Sequence, residues 1–486
     1  PKSLSETLRF YMKKLSSILL ILCVLLLGCQ RQNPLVYNVN KSDELREYES
    51  ESEEESRFAE SLAQKESMKE AESLAAAEAA VWTKKLPQKT ATRVKGIYLT
   101  AVTAGSSRMQ DIIGHIDQTE LNAVVIDILG DKGRIEYRMS SPLIDEIGSA
   151  EDTIPDLPSL MKTLKEHGIY TIARIVTFRD PYLATVKPEW MNHKADGSVF
   201  TDNSGMAWVD PYNRDAWEYK VQVAEQCADA GFDEIQFDYV RFCTERGMND
   251  VVYPEEETQG MDKTDIITEF VRFASDRLAA KNVFMSTDVF GTIIGSYVDT
   301  VSVGQDYPVM AGAVDYMCPM IYPSHYGNGN FGLEVPDLEP YKAILGACNA
   351  SRKDLALDYT EGVHQAIVRP WLQGFTASWL KSFKRYGAAE IRQQIQAVYD
   401  AGYDEWIIWN ASNEYDWSAY LSDEQAAQED QQIQAKRAAD AQAAVDQSRA
   451  AEESESASRA AALESIAQSK EDAANAVETA AESSEN

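Results

Sequence analysis

The chain has 486 residues, with 46 Lys and Arg against 78 Asp and Glu and a net charge of −32. That balance excludes a partner recognised through a phosphate backbone, which needs a basic face, and leaves neutral and cationic partners open. The length is that of about two or three ordinary domains.

The amino-terminal stretch reads as an export signal. Met12-Lys13-Lys14 supplies a positive start, and Ile18 to Leu27 is wholly apolar. This run falls well short of the ~20 residues that a membrane-spanning helix needs. It ends Leu26-Leu27-Gly28-Cys29, which resembles a bacterial lipobox, the site at which a cysteine is lipidated. Residues 1–29 are therefore expected to be a signal peptide whose true start is Met12. Cys29 is expected to be the lipidated residue, anchoring the protein to the bacterial cell membrane outside the cytoplasm.

Residues 30–90 are expected to be an acidic Glu/Ser/Ala tether, and 422–486 an acidic tail. Residues 41–80 carry 13 acids and 5 bases, with Tyr48 and Phe58 as their only aromatics. Residues 422–486 carry 15 acids and 5 bases and no aromatic at all. Chains so poor in large apolar side chains do not build a core, so disorder or marginal helix is expected, and both flanks should be dispensable for folding.

The middle, 91–421, alternates short β-rich runs with amphipathic stretches. In chain order the expected strands are Val94 to Thr100, Ala123 to Leu129, Tyr170 to Thr177, Glu234 to Tyr239, Val283 to Phe290, Val314 to Ile321, Ala366 to Gly374 and Glu405 to Asn410. Between them lie expected helices Leu157 to His167, Arg214 to Ala230, Asp265 to Lys281 and Ala388 to Ala401, several closing on glycine. Eight such units predict an α/β fold, a TIM (β/α)8 barrel. A doubly wound open sheet is the alternative, but no glycine fingerprint follows the first strand.

A TIM barrel builds its active site at the carboxyl ends of its strands, where this chain places carboxylates. Asp238 ends strand four and Asp288 sits near the end of strand five. Glu414 follows strand eight in a loop that could fold over the mouth. A charge inside an apolar run is costly unless paired or used, so Asp238 and Asp288 need either a function or an ion pair with Arg174, Arg241 or Arg369. Adjacent parallel strands lie about 4.8 Å apart, a spacing that suits two carboxylates in a retaining displacement. Asp238 is the expected nucleophile or base and Asp288 the expected general acid, with Glu414 in reserve. Aromatic faces at the same rim, Tyr98, Tyr239, Tyr322, Trp371 and Trp409 among them, can stack on sugar rings. Asp127, Arg174, Gln236, Arg241, Arg369 and Asn410 complete the expected substrate-binding set. Cys227, Cys243, Cys318 and Cys348 are scattered and no two of the five histidines sit at ligand spacing, so no metal and no cofactor are expected.

The segment Phe232-Asp233-Glu234-Ile235-Gln236-Phe237-Asp238-Tyr239-Val240-Arg241-Phe242, with Lys95-Gly96-Ile97-Tyr98 before it and Val314-Asp315-Tyr316-Met317-Cys318-Pro319-Met320-Ile321-Tyr322-Pro323 after it, resembles a bacterial family of inferred glycoside hydrolases related to α-amylase-like and similar enzymes. The likeness runs from about Thr92 to Leu421. It implies a carbohydrate-active barrel with Asp238 as its leading catalytic residue. Strands four and six are also similar to chitinase-type barrels, and Tyr322 fits that pattern. Val240, however, stands where those enzymes carry their acid. Against the amylase pattern, Gln236 replaces an arginine and Asp288 a glutamate. The expected function is hydrolysis of O-glycosidic bonds in a cell-surface or environmental polysaccharide. The alternatives are a surface lipoprotein that binds glycan without cleaving it, and a structural lipoprotein whose tethers matter most.

Overall fold

The computed structural model describes residues 82–357 and 362–482. The signal segment with Cys29, and the tether up to residue 81, lie outside the described residues.

Eight parallel strands close into a barrel: β1 (Lys95–Leu99), β2 (Ala123–Leu129), β3 (Tyr170–Val176), β4 (Glu234–Asp238), β5 (Phe284–Phe290), β6 (Tyr316–Met320), β7 in two pieces (Ile367–Val368 and Trp371–Gln373), and β8 (Trp406–Trp409). Each pairs with the next in sequence, and β8 returns to β1 through Lys95↔Trp406 and Ile97↔Ile408. All eight expected strands are present, with ends shifted by at most two residues apart from β7. That strand breaks because Pro370 has no N–H for the ladder. Its carbonyl still accepts from Ile407 N at 3.0 Å, where pairing with β8 begins.

Helices follow the strands: α1 (Arg108–Ile116), α2 (Leu157–Glu166), α3 (Arg214–Asp229), α4 (Lys263–Ala279), α5 (Tyr307–Ala311), α6 (Pro340–Leu357), α7 (Ala388–Asp400) and α8 (Asp423–Glu482). Local chemistry sets their starts. Asp156 accepts from Ser159 N ahead of α2, Asn213 from Ala216 N in α3, and Asp262 forms a capping box with Asp265 at α4. Side chains of a strand alternate between faces, which gives two cores. Tyr98, Val125, Ile172, Phe284, Cys318, Trp371 and Ile407 pack inside the barrel. Leu99, Ile126, Ile175, Phe237, Val289 and Ile408 pack outward against the helices.

Both flanks reach the barrel. Before β1, the Lys84 ammonium pairs with Asp315 at 3.1 Å in a buried contact, and the Trp82 indole donates to Asp276 at 2.9 Å. The segment 82–90 therefore packs on the barrel rather than belonging wholly to the tether. After β8, the chain expected to be disordered or marginally helical is one 60-residue helix. Its first turns take the place of the eighth barrel helix. Asp430 receives two hydrogen bonds from Arg93, at 2.7 and 2.9 Å, and Glu429 pairs with Arg392 of α7. Arg437 donates to the carbonyls of Tyr399 and Tyr403 at 3.0 Å each, tying α8 to the last turn of α7 and the loop that follows it. Ala426 and Ile433 are buried beneath this contact. Polar and small residues dominate α8, so composition hid the few positions that dock. No described helix is long and apolar enough to cross a membrane.

This arrangement predicts a split in truncation behaviour. A chain ending at Asp446 should melt with the full protein. One ending at Leu421 should lose about 3 kcal/mol or more, roughly 5 °C, because apolar surface is exposed and ion pairs are lost together. Thermal melting of the two truncations checks it, and equal midpoints would reduce α8 to an ornament of the barrel.

Candidate active site

At the carboxyl end of the barrel, β3 to β8 each present an inward side chain to the mouth, while Tyr98 of β1 and Asp127 of β2 stand behind them. Arg174 of β3 is central and almost wholly buried. Its Nη1 donates to Asp127 of β2 at 2.6 Å, while Nε and Nη2 both donate to Oδ2 of Asp238, at 3.0 and 2.5 Å. Burial opposes the charge on Arg174, but Asp127, Asp238 and Asp131 outweigh it and hold the guanidinium pKa well above its ordinary value. Asp127 accepts a hydrogen bond from the Tyr98 hydroxyl on its other oxygen, and the Tyr98 ring stacks on Trp409 at 4.0 Å.

Asp238 ends β4, and its Oδ1 accepts the backbone N–H of Tyr239 at 2.6 Å. Tyr239 has φ of 53°, a left-handed conformation that a bulky side chain avoids. The strain is held by pairing with β3, as Thr177 N donates to the Asp238 carbonyl at 2.9 Å and Phe178 N to that of Tyr239 at 3.2 Å. A turn begun one residue past the strand thus aims a backbone donor at the carboxylate.

Asp288 of β5 is 2 % exposed. Its Oδ1 accepts the Trp371 indole N–H at 2.6 Å. Burial raises its pKa well above the carboxylate range, with the charge of Asp238 adding to the rise, while Trp371 and Arg174 pull the other way. Tyr322 lies beside it, its hydroxyl pKa raised by burial and by both aspartates.

These groups surround a cavity of about 460 Å³. Of the expected residues, Asp238, Asp288, Arg174, Tyr239, Arg241, Tyr322, Trp371 and Trp409 line it. Tyr98 and Asp127 stand behind the wall and hold Trp409 and Arg174. Four expectations are corrected. Arg369 lies at the opposite end, fully buried between Glu234 at 2.8 Å and Glu405 at 2.8 Å with its guanidinium over the Tyr316 ring, so it closes the barrel floor. Gln236 points inward one layer below Asp238 and donates to Cys318 Sγ at 3.4 Å. Asn410 braces the loop after β8 by donating to the carbonyls of Gly374 and Glu414. Glu414 is exposed and borders a separate recess with Arg108, His115 and Trp417, so it offers no reserve acid to this cavity.

Sequence reasoning missed Asp131, His325 and Thr292, which also line the cavity. Asp131 follows β2 between Gly130 and Gly133, where the turn composition gave the only signal. His325 lies three residues past Tyr322, and burial lowers its pKa, favouring the neutral imidazole. Gly291 is required in the wall, since a Cβ there would meet the Tyr326 hydroxyl and the Met320 carbonyl. Among the described residues, no group of His, Cys, Asp and Glu side chains is placed to hold a metal ion.

Residues 96–415 match the family described as "Putative glycosyl hydrolase domain", and the chain belongs to that family. Membership supports hydrolase activity on glycosidic bonds. Among solved structures, a hypothetical protein from Ruminiclostridium thermocellum is 35% identical, with 41% of this chain and 99% of that one covered and a TM-score of 0.37. The PgaB (BpsB) glycoside hydrolase domain from Bordetella bronchiseptica is 12% identical over 68% of this chain and 98% of that one, with a TM-score of 0.48. The α-galactosidase TtGalA from Thermus thermophilus is 13% identical over 72% and 63%, with a TM-score of 0.41. The comparison with curated proteins gave no match.

Moving Arg369 from the site to the floor makes a distinct prediction. Arg369→Met should leave Glu234 and Glu405 buried without a countercharge, with Tyr170 still donating to Glu234, and cost about 3–5 kcal/mol of stability. Urea unfolding measures this, and a loss below about 1 kcal/mol would show that the floor does not depend on the pair.

Proposed function

We propose that the protein hydrolyses O-glycosidic bonds of a cell-surface or environmental polysaccharide, from a barrel tethered outside the cell membrane through lipid on Cys29. The observation that carries the catalytic part is the opposite surroundings of two carboxyl groups on adjacent strands. Asp238 is gripped by a guanidinium and a backbone N–H, whereas Asp288 is buried with a single indole donor and a raised pKa. A buried carboxyl that holds its proton beside a second carboxylate gripped by a cation offers the acid and the nucleophile that the reaction requires.

In this reading Asp288 protonates the departing glycosidic oxygen while Asp238 attacks the anomeric carbon, giving a glycosyl ester. The Asp288 carboxylate then takes a proton from the water that cleaves the ester, and both groups are restored. The indole can only donate, so Oδ1 of Asp288 is an acceptor and Oδ2 is left to carry the catalytic proton. Tyr322, Trp371 and Trp409 offer rings for the sugar. The alternative, a lipoprotein that binds glycan without cutting it, draws on one observation: both oxygens of Asp238 are already engaged.

Reducing-end release from a polysaccharide panel tests the two readings. Asp238→Asn should lower turnover by about three orders of magnitude or more with folding intact. Persistent hydrolysis in that variant, or none by the wild type on any glycan, favours the alternative. The Asp288 proton must be present for catalysis, so kcat/KM should fall as pH rises through its raised pKa. Asp288→Asn should lose that alkaline limb and spare aryl glycosides whose leaving groups need no proton. The same shift has a stability sign. Above the ordinary carboxylate range the unfolded chain releases this proton before the folded one, which penalises the fold. Asp288→Asn should therefore melt higher than wild type at neutral pH, and an unchanged or lower midpoint would contradict the raised pKa.

A further inference from the structure

Three arginines stand at the carboxyl ends of β3 and β4, and two of them are neutralised. Arg174 lies between Asp127 and Asp238, and Arg179 pairs with Asp202 at 3.0 Å. Arg241 has no carboxylate within ion-pair distance among the described residues, although it is only 9 % exposed. Its Nη1 donates to the carbonyl of Phe242 at 2.9 Å. Around the guanidinium stand Phe290 at 4.2 Å, Trp208 at 4.8 Å and Tyr239 at 5.1 Å from ring centroid to Cζ. Aromatic faces offset part of the cost of burying a cation, but they carry no countercharge. Burial lowers the pKa of Arg241, and the Arg179 charge adds to that, while Tyr239 and Asp238 partly oppose it.

Arg241 lines the same cavity as Asp238 and Asp288. A guanidinium fork matches a planar carboxylate better than any neutral hydroxyl, and a rigid aromatic cage fixes its direction. We propose that Arg241 is the recognition site for a carboxylate carried by the substrate sugar, so the glycan this barrel takes is an acidic one. The proposal rests on the glycosidase reading above. Two sources share the chemistry: a uronic acid, with its carboxylate on the ring, and an amino sugar bearing an ether-linked lactic acid. The acidic composition does not oppose either. More than half of the net charge belongs to residues 41–80 and 422–486. Charges act across about 8 Å at physiological salt, whereas Arg241 acts at contact.

The test uses the full chain carrying Asp238→Asn, to prevent turnover, and four probes in calorimetric titration. These are hexagalacturonate, its carboxyl-reduced counterpart, a peptide-free tetrasaccharide of alternating N-acetylglucosamine and N-acetylmuramic acid, and neutral chitotetraose. One acidic probe should bind about tenfold or more tighter than its neutral counterpart, as a charge-assisted bidentate pair implies. Which one does so identifies the source of the carboxylate. Adding Arg241→Met should abolish the preference, and Arg241→Lys, which keeps the charge without the fork, should restore part of it. Melting of each variant separates lost recognition from lost fold. Equal binding of acidic and neutral probes, or a preference that survives Arg241→Met, overturns the proposal and leaves the hydrolase reading standing. A clear acid preference with no reducing-end release by the wild type upholds the proposal and overturns the hydrolase reading. Absence of binding to all four overturns it as well.

Discussion

Arg174 is the residue on which the mouth of the barrel depends. A closed sheet of eight strands has an interior that must be filled, and here the uppermost layer is filled by charge. One guanidinium with planar donors ties β2, β3 and β4 together at the level where chemistry would occur. Through Asp127 it fixes the Tyr98 hydroxyl, and its face lies 5.4 Å from the Trp409 ring. A lysine would supply the charge but not the fork, so the two aspartates could not both be held in plane.

The floor repeats the motif. Arg369 sits between Glu234 and Glu405 as Arg174 sits between Asp127 and Asp238. Between these layers lie Gln236, Ser286 and Cys318, neutral groups on β4, β5 and β6. The ladder Glu234, Gln236, Asp238 climbs one face of β4 and samples floor, middle and mouth in turn. Buried ion pairs give little net stability and lose much when one partner is removed. Both layers therefore act chiefly as constraints on which arrangement of strands is tolerable, and only the upper one opens onto a cavity.

Much of this was legible in the sequence. Strands buried on both faces are nearly continuous apolar runs, so a polar residue inside one is conspicuous, and Asp238 and Asp288 were found that way. The same signal marked Arg369 without saying which end it served. Strand direction and register decide that: Arg369 donates its N–H to the Met317 carbonyl of β6 at 2.8 Å, two residues below Trp371, which pairs with Met320, and two residues along a strand are enough to separate floor from mouth. Glu414 failed for a different reason, since a loop has no period from which to infer where a side chain points. The eighth helix was hidden because its docking face needs only Ala426, Ile433 and charged partners, a pattern lost in a composition average.

The break in β7 links these observations. Pro370 divides the strand into a lower piece, Ile367–Val368, paired with β6, and an upper piece, Trp371–Gln373, paired with β8 and, through Trp371, with β6. The lower piece leads into Arg369 and the floor, while the upper piece carries the indole that meets Asp288. An uninterrupted strand would behave as a single stiff bar, transmitting any tilt of its base to its tip. Here the bar is divided between its two duties, yet it stays bonded to both neighbours across the division, Arg369 N to the Met317 carbonyl at 2.8 Å and Ile407 N to that of Pro370 at 3.0 Å. The fixed φ of the proline sets the angle at which the tryptophan leaves the floor and meets the acid.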